Sequence, residues 1–232
     1  MNRTLLILYL VMLSLLSLGC EAAPPPSDSP LAGEPCDYVL LIAVDRDNVE
    51  ANADVFDFIL RVLDRYFHDR IGGHDQVIIA ELSGNNRPLI FQGTPQALRE
   101  KFPDSKAFRE YLLAHGTKGK RINTGIAEAL EYLMQTYSVA KGNAESVALI
   151  LSDMNDDQPG QNESDRRLMN ALTTYARKGN LGFYFCDQIR MADIRQKMEQ
   201  AGFQFYTLEC DAFGRPPLPN FESRHQEARN PK

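Results

Sequence analysis

Six apolar residues in a row, Val39-Leu40-Leu41-Ile42-Ala43-Val44, run without a break into Asp45-Arg46-Asp47-Asn48. An apolar run of this length that stops at polar residues is the pattern of a strand covered on both faces. Such strands sit in the middle of a parallel sheet. Ligands of open α/β sheets bind beyond the carboxyl ends of the strands, where Asp45 would stand. Asp45 can serve there as a functional carboxylate, or it can simply end the strand and cap the next helix.

The rest of the chain repeats this alternation. Val55, Ile59, Val62, Leu63 and Tyr66 recur at helical spacing within 51–68,. Residues 76–82 read as a second strand. A turn at Ser83-Gly84-Asn85-Asn86 leads to a short return strand at 88–91, an antiparallel edge pair with Pro88,. Thr94-Pro95 has the N-cap and first-turn residues of a helix,. Further helices are expected over 105–115, from Ile122-Asn123-Thr124-Gly125 to Tyr137, around Leu168, Leu172 and Tyr175, and around Met191, Ile194 and Met198. Strands are expected at 147–151, 181–186 and 203–208. The aromatic residues Phe183, Tyr184, Phe185, Phe203, Phe205 and Tyr206 read as core and edge packing. The pattern predicts an α/β fold of three layers: a doubly wound, mostly parallel sheet of about six strands with one antiparallel edge.

The 232 residues fit one domain with tails, and the net charge of −6 without a basic patch argues against nucleic acid as a partner,. His68, His74, His115 and His225 show no zinc-type spacing,. The N-terminus carries an address. Arg3 precedes an apolar run, Leu5 to Leu16, and then Ser17-Leu18-Gly19-Cys20,. Gly19 before Cys20 resembles the lipobox of bacterial lipoproteins, although Ser17 stands where that family usually has Leu. The resemblance implies a signal peptide over 1–19 and a diacylglycerol on Cys20. Glu21, rather than Asp, then favours an outer-membrane anchor facing periplasm or cell surface. Residues 20–35 form a Pro-rich spacer, 36–211 the folded domain, and 212–232 a disordered tail.

Three stretches converge on one rim: Asp45 and Asp47 after the first strand, Thr124 at a helix start, and Asp153 after the strand at 147–151. Hard oxygen donors of this kind suit magnesium or calcium. Together with Ile122-Asn123-Thr124-Gly125-Ile126 and Leu149-Ile150-Leu151-Ser152-Asp153, they make the chain resemble the von Willebrand factor A family over roughly 36–211. That family binds a metal through Asp-x-Ser-x-Ser, a Thr and a later Asp. The resemblance implies a protein-binding module, with Asp45, Asp47, Thr124 and Asp153 around Mg2+ or another divalent cation. The two family serines are replaced by Asp47 and Val49, and Val49 offers no ligand. The family's strand order also makes the last two strands neighbours, with Cys186 and Cys210 at the same end. They would form a disulfide or stay as buried thiols, while Cys36 stays single.

Two alternatives stand beside this reading. Asp45-Arg46-Asp47-Asn48-Val49 also resembles the Asp-x-Asp motif of haloacid-dehalogenase-type phosphatases. That resemblance implies Asp45 as nucleophile, Asp47 as acid/base, Ser83, a phosphate-binding Lys118 or Lys120, and magnesium on Asp153 with Asp157. The other alternative is a metal-free, lipid-anchored binding module on the same fold.

Overall fold

All seven residues of Tyr38–Val44 (β1) are buried, as the apolar run requires. A computed structural model describes residues 36–69, 74–82, 89–114, 121–137, 145–155, 162–210, 215–219 and 221. The leader at 1–19, Cys20 and the spacer to residue 35 lie outside the described residues, as do Ser83, Lys118, Lys120, Asp157, His115 and His225.

β1 is flanked on both sides by parallel strands. Gln76–Glu81 (β2) pairs with it from Val39↔Gln76, and Glu145–Leu151 (β4) from Tyr38↔Glu145. Leu89–Gly93 (β3) runs antiparallel to β2 as one edge, with a register shift at Ile79/Ala80. Asn180–Tyr184 (β5) and Tyr206–Glu209 (β6) extend the parallel sheet on the other side. The strand order is β3-β2-β1-β4-β5-β6. This is a six-stranded, mostly parallel α/β sheet with one antiparallel pair, as the residue pattern predicted.

Side chains alternate across a strand, so β1 feeds two cores. Leu40, Ile42 and Val44 face the layer of Arg46–Ala51 (α1), Ala53–Asp69 (α2), Pro95–Lys101 (α3) and Ser105–Ala114 (α4). Val39, Leu41 and Ala43 face Ile122–Thr136 (α5), Asn162–Tyr175 (α6) and Met191–Ala201 (α7). Thr94 caps α3 by accepting the Ala97 N–H at 3.1 Å, with Pro95 in the first turn,. Among the described residues, no helix is long and apolar enough to cross a membrane.

Three local expectations are corrected. A separate six-residue helix, α1, starts at once after Asp45, ahead of the long helix. Phe205 does not pack; it is 80% exposed, because β6 starts one residue later. The chain beyond 211 is not all tail: Phe221 is completely buried and Leu218 packs beside it on the α2 layer. Phe221 stacks edge-on against Tyr66 at 5.3 Å, and Arg61 Nη2 donates to the Pro216 carbonyl at 3.5 Å. An isolated aromatic in a Pro-rich, charged stretch has no periodicity to announce it, yet burying it removes a large apolar area from water.

Candidate functional site at the carboxyl ends of the strands

The parallel strands end at one level, and backbone bonds past their ends tie that level together. The Asp45 N–H donates to Leu151 O at 2.9 Å, Leu82 N–H to Val44 O at 3.0 Å, and Ser152 N–H to Tyr184 O at 3.3 Å. The Asp187 N–H then reaches Asp153 O at 3.0 Å, so the loop after β5 is fastened to the loop after β4. Met154 and Phe185, one on each of these loops, both have positive φ, at 62° and 61°. Left-handed backbone is uncommon for non-glycine residues and concentrates where the chain must make a defined turn.

Asp45 is 4% exposed, and each of its oxygens accepts a hydrogen bond. Oδ1 accepts the Asp47 N–H at 3.1 Å, which makes Asp45 the N-cap of α1. Oδ2 accepts the Ser152 hydroxyl at 3.4 Å. Ser152 is fully buried, and its Oγ also accepts the Met154 N–H at 3.0 Å. Asp153 Oδ1 accepts the Asn155 N–H at 2.9 Å, an Asx-type turn,. Arg190 Nε donates to Asn155 Oδ1 at 3.4 Å. Asp47 is exposed on α1, and Val49 is buried in the core.

Thr124 lies in the first turn of α5, which begins at Ile122. Its hydroxyl is 3.2 Å from the Ser164 hydroxyl on α6. Asn123 Nδ2 donates to Asp165 Oδ1 at 2.9 Å beside it. One helical turn on, Arg167 forks onto Glu131 at 2.6 and 3.1 Å and reaches the buried Glu128 at 3.1 Å. Bidentate guanidinium–carboxylate geometry of this kind fixes the register of the two helices. Thr124 is therefore part of an α5–α6 clamp.

The structure thus joins Asp45 to the Asp153 loop through Ser152, gives Thr124 to Ser164, and leaves Asp47 facing outward. Ser152, Ser164 and Asn155 were not singled out in the sequence. The signal for Ser152 was present: a hydroxyl directly after an unbroken apolar run sits where the sheet is still covered on both faces. No group of three or more His, Cys, Asp or Glu side chains among the described residues could hold a metal ion. A divalent cation needs several convergent hard oxygens. Here the Asp45 oxygens are turned onto Asp47 and Ser152, and position 49 is apolar. Asp47 is exposed and Val49 carries no oxygen, so the expected ligand set is not gathered into one cluster here.

Asp45→Ala should cost about 1–3 kcal/mol of folding stability, since it deletes an N-cap and strands a buried hydroxyl. Asp45→Asn keeps an acceptor for the Asp47 N–H and should cost less. Urea denaturation of the pair checks this; equal losses would show that the cap contributes nothing.

No family model matches the chain, and no curated protein matches it. Among solved structures, proximal thread matrix protein 1 from the mussel byssus aligns over 75% of this chain and 43% of its own, at 13% identity and a TM-score of 0.42. The pilus adhesin SpaC from Lactobacillus rhamnosus GG aligns over 77% and 28%, at 11% identity and a TM-score of 0.49. The human COPII-coat protein Sec24c aligns over 77% and 30%, at 7% identity and a TM-score of 0.41. The chain spans less than half the length of each.

Proposed function

We propose that the protein is a lipid-tethered, extracytoplasmic binding module of von Willebrand A-like architecture, which engages a protein partner with its rim and needs no bridging cation. The observation that carries this reading is the hydrogen bonding at the strand ends. Asp45 accepts from Asp47 and Ser152, Ser152 accepts from Met154, and Asp153 separately accepts from Asn155, contacts that shape the rim and that no ion makes. A rim built this way recognises by shape and by hydrogen bonds. Ile189, which is 83% exposed in the 3-10 turn after β5, gives it an apolar contact point. The tether rests on Arg3, the apolar run and Gly19-Cys20. It would enter the domain at Cys36, by the amino end of β1 and opposite the rim. The rim would then point away from the membrane.

The test uses a photo-crosslinking residue at Ile189 and, as control, at Phe205, which is equally exposed but precedes β6 at the opposite end of the sheet. In intact membranes the Ile189 probe should trap a discrete adduct that survives chelator, and the Phe205 probe should not. An adduct that vanishes with chelator, or that forms only at Phe205, would sink the proposal. Millimolar magnesium, manganese or calcium should leave the melting temperature unchanged. Purified protein should not hydrolyse a generic aryl phosphate with magnesium. Cys20→Ser should shift the chain from the membrane to the soluble fraction.

A further inference from the structure

β5 and β6 are parallel neighbours in register, Tyr184 opposite Glu209. Cys186 lies two residues past the end of β5, and Cys210 one residue past the end of β6. The left-handed Phe185 turns the chain between Tyr184 and Cys186. Both cysteines are buried free thiols, Cys186 at 1% and Cys210 at 6% exposure, and both belong to the core on the α5–α7 side of the sheet. The residue after Cys186 donates the backbone bond that fastens the Asp153 loop. Cys36 sits at the other end of the sheet, with its Sγ–H donating to the Tyr38 carbonyl at 3.4 Å.

We propose that Cys186 and Cys210 close into a disulfide that braces the rim by fixing the Cys186-Asp187 turn, and with it the Asp153 loop, to the end of β6. The register brings Cys210 level with Phe185, one residue short of Cys186; with parallel strands about 4.8 Å apart and a rise of about 3.3 Å per residue, that offset keeps the pair within the Cα separations that disulfides span,. The oxidant is a protein or small-molecule disulfide of an oxidising compartment. One cysteine thiolate attacks a sulfur of that disulfide, and the oxidant's other sulfur leaves as a thiolate. The second cysteine's thiolate then attacks the mixed disulfide, closes the bond and releases the oxidant's remaining sulfur. Two electrons and two protons pass to the oxidant, which ends as a dithiol. Burial pushes the Cys186 thiol up, with the neighbouring Cys210 adding to it, so the folded pair holds little thiolate,. The bond therefore forms during folding, before the strand ends close. Burial also pushes Cys36 up, to about 12, and with no second cysteine at its end of the sheet among the described residues it stays a thiol.

The proposal rests on the extracytoplasmic address for its oxidant, and the experiment separates the two. Full-length protein is isolated from membranes with acid quenching and denatured without reductant. Free thiols are then alkylated and the digest is mapped. Trypsin cuts at Arg190, Arg195 and Lys197 between the two cysteines. The expected product is the Cys186 peptide joined to the Cys210 peptide, with Cys36 alkylated. The same chain, denatured and reduced, is refolded in a glutathione redox buffer. A pair that forms there but is reduced in cells supports the bond and overturns the address. Three alkylated thiols in both preparations overturn the bond. Dithiothreitol should lower the melting temperature of the oxidised protein by about 6–12 °C, given the loop closed. It should also speed amide exchange at 185–188 by about tenfold or more while leaving β1 unchanged. A Cys186→Ser/Cys210→Ser protein should show neither response to reductant. If its exchange at 185–188 matches that of the oxidised wild type, the brace is overturned.

Discussion

Phe221→Ala should remove about 3–5 kcal/mol of folding stability, the range for truncating a fully buried aromatic. For a domain of this size that is a fall in melting temperature on the order of 10 °C. Phe221 seals the amino ends of the strands on the α2 side, where its ring meets Tyr66 edge-on. Tyr66 is itself fully buried, with its hydroxyl donating to Gln76 O at 3.1 Å and packed near Tyr38 at 5.9 Å between ring centres. Removing the Phe221 ring opens a cavity that neither Tyr66 nor the sheet can collapse into. Phe205→Ala is the control, since it deletes the same side chain from an 80% exposed position and should stay within about 0.5 kcal/mol of wild type,. Equal effects of the two substitutions in urea denaturation would mean that the segment past 214 is not part of the folded unit.

The contrast between those two phenylalanines shows where the sequence could be read and where it could not. β1 and β4 were legible because burial on both faces leaves an unbroken apolar run that few other structures tolerate,. α2 and α5 were legible because one buried face imposes a 3.6-residue rhythm,. Phe205 and Phe221 carry no such rhythm, and Phe221 is buried by Tyr66, a residue more than 100 positions earlier in the chain. The rim was half legible. Asp45 and Asp153 do stand at the strand ends, but a carboxylate there satisfies a helix cap or an Asx turn as readily as it binds an ion. The choice between these depends on which N–H groups lie within 3 Å, a detail of backbone path. Thr124 was placed at the right end of the right helix, yet its partner, Ser164, lies 40 residues on and on another helix. No local pattern could pair them.

Gly179→Ala is expected to cost about 2–4 kcal/mol, although it changes a turn by only one methyl group. Gly179 follows α6 and leads into β5, and its N–H donates to Tyr175 O at 3.2 Å. A Cβ there would run into the Tyr175 hydroxyl and come within 2.5 Å of Ser146 Oγ. Neither neighbour can give way. Tyr175 is fully buried, and its hydroxyl is held by Ser146 Oγ at 3.0 Å and by Asn180 O at 3.2 Å. Moving it breaks two buried hydrogen bonds, each worth about 1 kcal/mol, on top of overpacking strain of about 1–3 kcal/mol. The gain of about 0.4–1 kcal/mol from stiffening the unfolded chain offsets only part of this. The crossover from α6 sets where β5 starts, and so where Phe185 and Cys186 emerge at the rim; the damage should reach that end of the sheet. Tyr175→Phe supplies the internal check. Alone it loses the two hydrogen bonds; combined with Gly179→Ala it also removes the atom the methyl meets first. The double substitution should therefore cost at least 0.5 kcal/mol less than the sum of the singles. Strict additivity in a urea-denaturation cycle, or a Gly179→Ala protein as stable as wild type, would show that the turn is not pinned by Tyr175.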